Sequence, residues 1–287
     1  MKTNDFSSIV KQYRVIFFDA YGVIKNAHGL IPGVIDTFSF LKENQIEYFV
    51  LTNDASRGPI DLAIDYHKHG LTAIDAGKII SSGMLAREYL LYKVKQGTLA
   101  YLGTQASAHY IEAIGLKTLS IKDVNVDDSE HISALVLLDD EGFDWNHDIN
   151  KVINLLRKRN IPVIIANTDK RYPVSQEHVA IAIGAVADMI ERVVGKTFIR
   201  FGKPDSQMFH FAYEHVLQTV HVRKDQILMV GDTLTTDIIG GNKFGIDTML
   251  VLSGNTQPEK ARLLIRTTGI IPNFICHSIA VEPDGIA

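Results

Sequence analysis

The sequence predicts an α/β fold: a doubly wound, mostly parallel sheet into which a second α/β unit is inserted. Three observations carry this. Short apolar runs alternate with longer amphipathic stretches along the 287 residues, which is the pattern of parallel strands joined by helical crossovers. Two of the runs, Val15 to Phe18 and Ile227 to Val230, end in acids, at Asp19 and at Gly231-Asp232. An open parallel sheet places its ligands beyond such strand ends. The interval from Thr52 to Lys203 covers more than half the chain and carries apolar runs and helical patterns of its own, so it reads as an inserted domain.

In chain order, Val15 to Phe18 opens the first sheet and Val34 to Lys42 has helical spacing. Tyr48 to Leu51 is the next strand, ending at Thr52. Leu99 to Leu102, Ala134 to Leu138 and Pro162 to Ile165 are strands of the insertion. Ser206 to Gln218 is helical, Ile227 to Val230 returns to the first sheet, Asp237 to Phe244 is helical, and Met249 to Leu252 is the last clear strand. Gly70, Gly115 and Gly245 follow helical stretches, where glycine commonly stops a helix. The expected division is residues 1–84 and 193–287 for the main unit and 85–192 for the insertion, with no internal repeat.

Bulk properties exclude several functions. A net charge of -4 and a pI near 6.2 leave no cationic excess for a polyanion, so nucleic acid is not an expected partner. Arg157-Lys158-Arg159 closes a helical pattern and reads as a solvated helix end favoured by the helix dipole. Cys276 is the single cysteine, which rules out an internal disulfide and a cysteine metal cluster. No run reaches the roughly 18 apolar residues that span a bilayer, and Met1 to Ser8 is polar. A cytoplasmic protein without a membrane partner is expected.

Four strand-end or turn positions concentrate the chemistry: Asp19, Thr52, the turn Gly202-Lys203-Pro204, and Asp232 with Asp237. An aspartate can attack phosphorus as a nucleophile if cations neutralise the phosphoryl oxygens. Asp19 and Asp232 are hard oxygen donors suited to Mg²⁺. Lys203 can pair with both nucleophile and phosphate, and the Thr52 hydroxyl can hold a phosphoryl oxygen. Each piece also has an ordinary reading, since Asp and Thr after strands often serve as turn or cap residues.

As a set the motifs resemble the haloacid dehalogenase (HAD) superfamily: Phe18-Asp19-Ala20-Tyr21-Gly22-Val23, Leu51-Thr52-Asn53, Gly202-Lys203-Pro204, and Gly231-Asp232 to Thr236-Asp237. The insertion between the second and third motifs is similar to the class IIA branch, which includes nitrophenyl, pyridoxal and phosphoglycolate phosphatases. Asn167-Thr168-Asp169 and Val251-Leu252-Ser253-Gly254 add to that likeness. The resemblance implies a Rossmann-like core with an α/β cap, and Mg²⁺-dependent hydrolysis of a small phosphorylated metabolite through an aspartyl-phosphate. It implies Asp19 as nucleophile and metal ligand, the Tyr21 carbonyl and Asp232 as further metal ligands, Asp237 as a group that binds a metal water or orients Lys203, and Lys203 as charge stabiliser. Thr52 and Asn53 would hold phosphate, Asn167 and Asp169 would approach the leaving group, and a homodimer through the insertion is one expected assembly.

One position departs from the family pattern. Phosphatases of this superfamily usually carry a second aspartate two residues after the nucleophile as general acid and base, and here that residue is Tyr21. A phenol is a poor base at neutral pH, and loss of a positioned acid typically costs about 10² to 10⁴ in rate. Three consequences compete: a substrate with a good leaving group such as an aryl or acyl phosphate, an acid supplied by the cap or by the substrate, or lost turnover in a phosphometabolite-binding protein. His28, His67 and His69 are substitutes to consider. A metal-independent haloacid dehalogenase would share Asp19-Ala20-Tyr21-Gly22, but the acids at 232 and 237 favour metal and phosphate.

Overall fold

The computed structural model describes residues 3–281 apart from 95, 113–114 and 175–177. Its main sheet has six strands in the order Phe274–Cys276, Asp247–Val251, Ile227–Gly231, Val15–Phe18, Glu47–Thr52 and Ile79–Ser81. All neighbours are parallel, with Val15 level with Ile227 on one side and Glu47 on the other. Val15–Phe18 is wholly buried, and its alternate residues face opposite layers. Ile16 and Phe18 join Phe38, Leu41 and Tyr66 on one face, while Val15 and Phe17 join Phe49, Met208 and Phe209 on the other. Burial on both faces is why this strand reads as an unbroken apolar run.

A second, five-stranded parallel sheet is ordered Ile199–Arg200, Val163–Ile165, Ile132–Leu137, Thr98–Leu102 and Lys117–Ser120. It too is covered on both faces, by Val152, Leu155 and Ile190 on one side and by Ala86, Leu90 and Ile111 on the other. The α/β class and the parallel sheets are as expected, but the edges differ. Ile199–Arg200 pairs with Val163–Ile165, so the second sheet reaches past residue 192. The helix Ser82–Tyr89 crosses the other expected edge at 84/85, starting directly from the main-sheet strand Ile79–Ser81 through a Ser81 cap. Apolar periodicity marks where chain is buried, not which of two adjoining sheets buries it.

Short edge strands were also missed, including Ile79–Ser81, Lys117–Ser120 and Phe274–Cys276, as was the hairpin Arg171–Pro173 with Val179–Ile181. At three or four residues they give too little pattern to see. The helices Val34–Glu43 and Ser206–Leu217 match their predicted spans within two residues. The 237–244 stretch is instead a π-helical turn over Leu234–Ile238 running into an α-helix over Ile239–Phe244. Among the described residues, no helix is long and apolar enough to cross a membrane.

Phe17 is fully buried in the central strand and meets the Phe49 ring edge-on, with centroids 6.4 Å apart. Phe17→Ala should therefore destabilise the protein by about 3–5 kcal/mol, the range for truncating a buried aromatic. A lower midpoint in urea unfolding with unchanged slope is the expected reading.

Candidate active site

The site lies at the carboxyl ends of the two central strands of the main sheet. Asp19 follows Val15–Phe18, and Asp232 follows Ile227–Gly231. Asp237 is brought back beneath them by the π-helical turn, where its Oδ2 accepts from the Thr233 N–H at 3.1 Å. One oxygen from each of Asp19, Asp232 and Asp237 lies within 4.8 Å of the others. Asp232 and Asp237 are fully buried, and the Asp19 side chain is 16% exposed.

Lys203 sits against this cluster. Its Nζ is 2.7 Å from Asp19 Oδ1 and 2.7 Å from Asp237 Oδ1, and the residue is 1% exposed. Burial alone would lower the lysine's pKa, but the charges of Asp19, Asp237 and Asp169 outweigh it and hold it above the ordinary lysine range. Burial pushes Asp19 well above the usual carboxylate range against the pull of Lys203, with Asp237 and Asp232 adding to the rise. Burial and Asp237 likewise push Asp232 up to about 7, although it accepts hydrogen bonds from the Asn255 N–H at 2.6 Å and the Thr233 hydroxyl at 2.7 Å.

Three carboxylates facing one ammonium leave uncompensated negative charge in a buried site. That arrangement is costly unless a cation is bound. The donors are all hard oxygens, converging on one point with a wall of the cavity beside them. A small cation that keeps several waters and takes one or two carboxylates, Mg²⁺, fits this set.

Two glycines make the convergence possible. A Cβ on Gly22, whose φ is +80°, would sit 2.0 Å from Asp232 Oδ2, and one on Gly254 would sit 1.9 Å from the same oxygen. The loops carrying these glycines clamp Asp232 between bare backbones, and Ser253 Oγ donates to the Gly22 carbonyl at 2.6 Å to hold them together. The Gly-Val of the first motif and the Ser-Gly after the last long strand thus serve the same carboxylate.

A cavity of about 770 Å³ opens over Asp19 between the main unit and the insertion. Asp19, Tyr21 and Thr52 line it from one side, and Asp140, Asn167 and Asp169 from the other. Thr52 Oγ1 accepts from the Asp54 N–H at 3.1 Å, so its own hydrogen can be donated into the cavity. The structure places Asp19, Tyr21, Thr52, Asn167 and Asp169 on this cavity with Lys203, Asp232 and Asp237 clustered beside Asp19, but it gives Asn53 a different side-chain task. Asn53 is 1% exposed, and its Nδ2 donates to Asp169 Oδ1 at 2.8 Å, Thr168 Oγ1 at 3.2 Å and the Lys203 carbonyl at 3.1 Å. Its Oδ1 accepts from the Lys203 N–H at 2.7 Å. The amide is a strap between the main unit, the lysine loop and the insertion, and this use leaves it no donor for phosphate.

The histidine substitutes are elsewhere. His67 Nε2 lies 2.9 Å from the Ile74 carbonyl and His69 Nδ1 2.8 Å from that of Asp65, both local helix-end contacts. Neither these nor His28 lines the cavity. Tyr21 packs its ring against Tyr172 of the insertion, centroids 6.2 Å apart, with the buried Lys25 ammonium 5.0 Å from its centroid. Sequence reading missed Asp139 and Asp140, which follow the strand Ile132–Leu137 as Asp19 follows its own. The strand-end rule applied to the insertion would have found them. Burial and Asp139 raise Asp140 to about 6, although the Tyr172 hydroxyl donates to it at 3.2 Å.

A family model for haloacid dehalogenase-like hydrolases matches residues 16–117, and a HAD-hydrolase-like model matches residues 200–280. A crystal structure described as a possible sugar phosphatase of the HAD superfamily, from Cytophaga hutchinsonii, is 54% identical, with a TM-score of 0.94 over 99% of this chain and 100% of that one. Dihydroxyacetone phosphatase of Corynebacterium glutamicum is 28% identical, covering 91% of this chain and 88% of the relative. Chronophin of Bos taurus is 24% identical, covering 97% and 95%. The chain belongs to the haloacid dehalogenase superfamily of hydrolases.

Since Gly22 has no room for a side chain beside Asp232, Gly22→Ala should displace that carboxylate. Mg²⁺ affinity measured by titration calorimetry is expected to fall about 10- to 100-fold, as for other changes to groups that support metal ligands. The far-ultraviolet circular dichroism spectrum should stay as in wild type.

Proposed function

We propose that the protein is a Mg²⁺-dependent phosphatase that hydrolyses a small phosphorylated metabolite, of the sugar phosphate or aryl or acyl phosphate class, through a phosphorylated Asp19. The observation that carries this is the buried Lys203 paired at 2.7 Å with both Asp19 and Asp237, beside Asp232 and at the foot of the cavity. Relatives named dihydroxyacetone phosphatase and possible sugar phosphatase support the substrate class. Halide displacement needs no cation, and the clustering of Asp232 and Asp237 with Asp19 favours the phosphate reading over it.

Asp19, Asp232, Asp237 and the Tyr21 carbonyl would hold Mg²⁺, which would neutralise phosphoryl oxygens as the substrate binds. Lys203 holds Asp19 Oδ1, which also accepts from the Ala20 N–H at 2.7 Å, so that Oδ2 would be the oxygen that bonds to phosphorus. The same ammonium offers positive charge to the phosphoryl group as the transferred charge develops, an arrangement already in place before reaction. The Thr52 hydroxyl would hold one phosphoryl oxygen, with backbone N–H groups of its loop beside it. Water then releases phosphate from Asp19. The insertion acts as a cap: it supplies the far wall of the cavity, and its loops choose the leaving group.

Phosphate release from p-nitrophenyl phosphate in Mg²⁺ tests the reading. Activity should disappear in EDTA and return with added Mg²⁺. Asp19→Asn should lower turnover by at least about 10³-fold, as expected when one member of a cooperating catalytic set is removed. Turnover that survives both changes, or halide release in EDTA, would refute the proposal.

A further inference from the structure

Cleaving a phosphate ester with a poor leaving group requires a proton at the ester oxygen, and this cavity offers few groups to give one. Asp19 is committed as nucleophile, and Asp232 and Asp237 to the cation. Lys203 is held by two carboxylates and kept protonated by them. Asp54 accepts from both the N–H and hydroxyl of Ser56, at 2.9 and 2.6 Å. Asp139 and Asp140 share the insertion wall with Asp169, but there Asp139 accepts from the Thr104 hydroxyl at 3.2 Å and Asp140 from the Tyr172 hydroxyl at 3.2 Å, and the charges acting most on Asp140 are those of its neighbours Asp139 and Glu141.

Asp169 differs from all of these. It lines the cavity with Asp19, and its charge is near enough to raise Asp19 and to act on Lys203. Asn53 Nδ2 donates to its Oδ1 at 2.8 Å, and among the described residues no other hydrogen bond reaches the carboxylate. Asn53 is itself fixed to the Lys203 backbone, so a continuous chain of contacts runs from Asp169 through Asn53 and Lys203 to the nucleophile. The loop is also rigidly seated. Gly184 N–H donates to the Asp169 carbonyl at 3.0 Å, a Cβ on Gly184 would come within 2.5 Å of that oxygen, and Asn167 Oδ1 accepts from the Asp169 N–H at 2.8 Å.

We infer that Asp169, on the insertion, is the catalytic acid and base of the reaction, in the place that Tyr21 leaves without a carboxyl group. This rests on the phosphatase reading above. In the first half-reaction an Asp19 oxygen bonds to phosphorus while the bond from phosphorus to the ester oxygen breaks, and the Asp169 proton passes to that oxygen. In the second half, Asp169 takes a proton from the water whose oxygen bonds to phosphorus as the bond to Asp19 breaks. Phosphate leaves and Asp169 is again protonated. Burial raises this carboxyl to about 6 against the pulls of Lys203 and the Asn53 amide, with Asp237 and Asp54 adding to the rise. Lys170, its neighbour in sequence, is turned to Asp188.

Phenyl phosphate and p-nitrophenyl phosphate share a shape but differ in how much the leaving oxygen needs a proton. In Asp169→Asn, kcat/KM for phenyl phosphate should fall about 10²-fold or more, while that for p-nitrophenyl phosphate changes by less than about 5-fold. The introduced amide oxygen can still accept from Asn53, so the strap survives the change. In wild type, kcat/KM for phenyl phosphate should fall as pH rises past about 6, because the acid must be protonated, and Asp169→Asn should remove that fall. Equal losses on both esters with an unaltered pH profile would make Asp169 a structural anchor and overturn the assignment alone. A wild-type protein inert toward both esters would overturn the phosphatase reading and this inference with it.

Discussion

The buried ammonium of Lys203 is the constraint around which the site is organised. Taking such an ion out of water costs several kcal/mol even after relaxation, and nothing apolar could offset it. The two carboxylates at 2.7 Å do so, and in return the lysine holds two acids in place that would otherwise repel each other. Leaving one partner of such a set alone typically costs about 3–5 kcal/mol, so the trio stands or falls together. The three residues come from three separate parts of the chain: Asp19 follows a strand buried on both faces, Asp237 lies in a turn whose Leu234 and Ile238 are buried, and Lys203 follows closely on the buried Phe201. Core packing thereby sets the position of charges that could not assemble on their own.

The same logic explains why the acids sit at strand ends and not within strands. The central strands are buried on both faces, so no side chain there can reach solvent or substrate. Only where the backbone leaves the sheet can a polar group be offered outward while its backbone stays anchored. Asp232 shows how narrow the opening is, with bare glycine backbone on two sides of one carboxylate oxygen. A site of this kind is rigid by construction, which suits chemistry that depends on charges already placed before the substrate arrives.

Much of this was legible in sequence, because a strand buried on both faces writes an unbroken apolar run and the residue after it is then conspicuous. Val15 to Phe18 with Asp19, and Ile227 to Val230 with Asp232, are such cases. What stayed hidden has physical causes. Ile199–Arg200 is a two-residue edge strand whose sheet is chosen by pairing with Val163–Ile165, a contact that leaves no trace in local pattern. Asn53 reads as a phosphate ligand from its place beside Thr52 in the second motif, but its side-chain amide is satisfied by Lys203, Thr168 and Asp169, residues more than a hundred positions away. Hydrogen-bond partners of an amide are tertiary facts, whereas apolar periodicity is a local one.

Tyr21 and Asp169 are best understood as two halves of one exchange. A carboxylate at position 21 would have added a further negative charge beside Asp19, in a neighbourhood where three acids already share one ammonium. The tyrosine instead contributes a ring that packs against Tyr172 of the insertion and receives the Lys25 ammonium, which also pairs with Asp65 at 3.1 Å. The main unit gives up an acid at this point and gains a contact with the cap. With the proton donor carried by the cap loop at 167–169, protonation of the leaving group becomes conditional on that loop being seated against Asn53. The strap that seats it also fixes the backbone of Lys203, so a single buried amide ties leaving-group chemistry to nucleophile position.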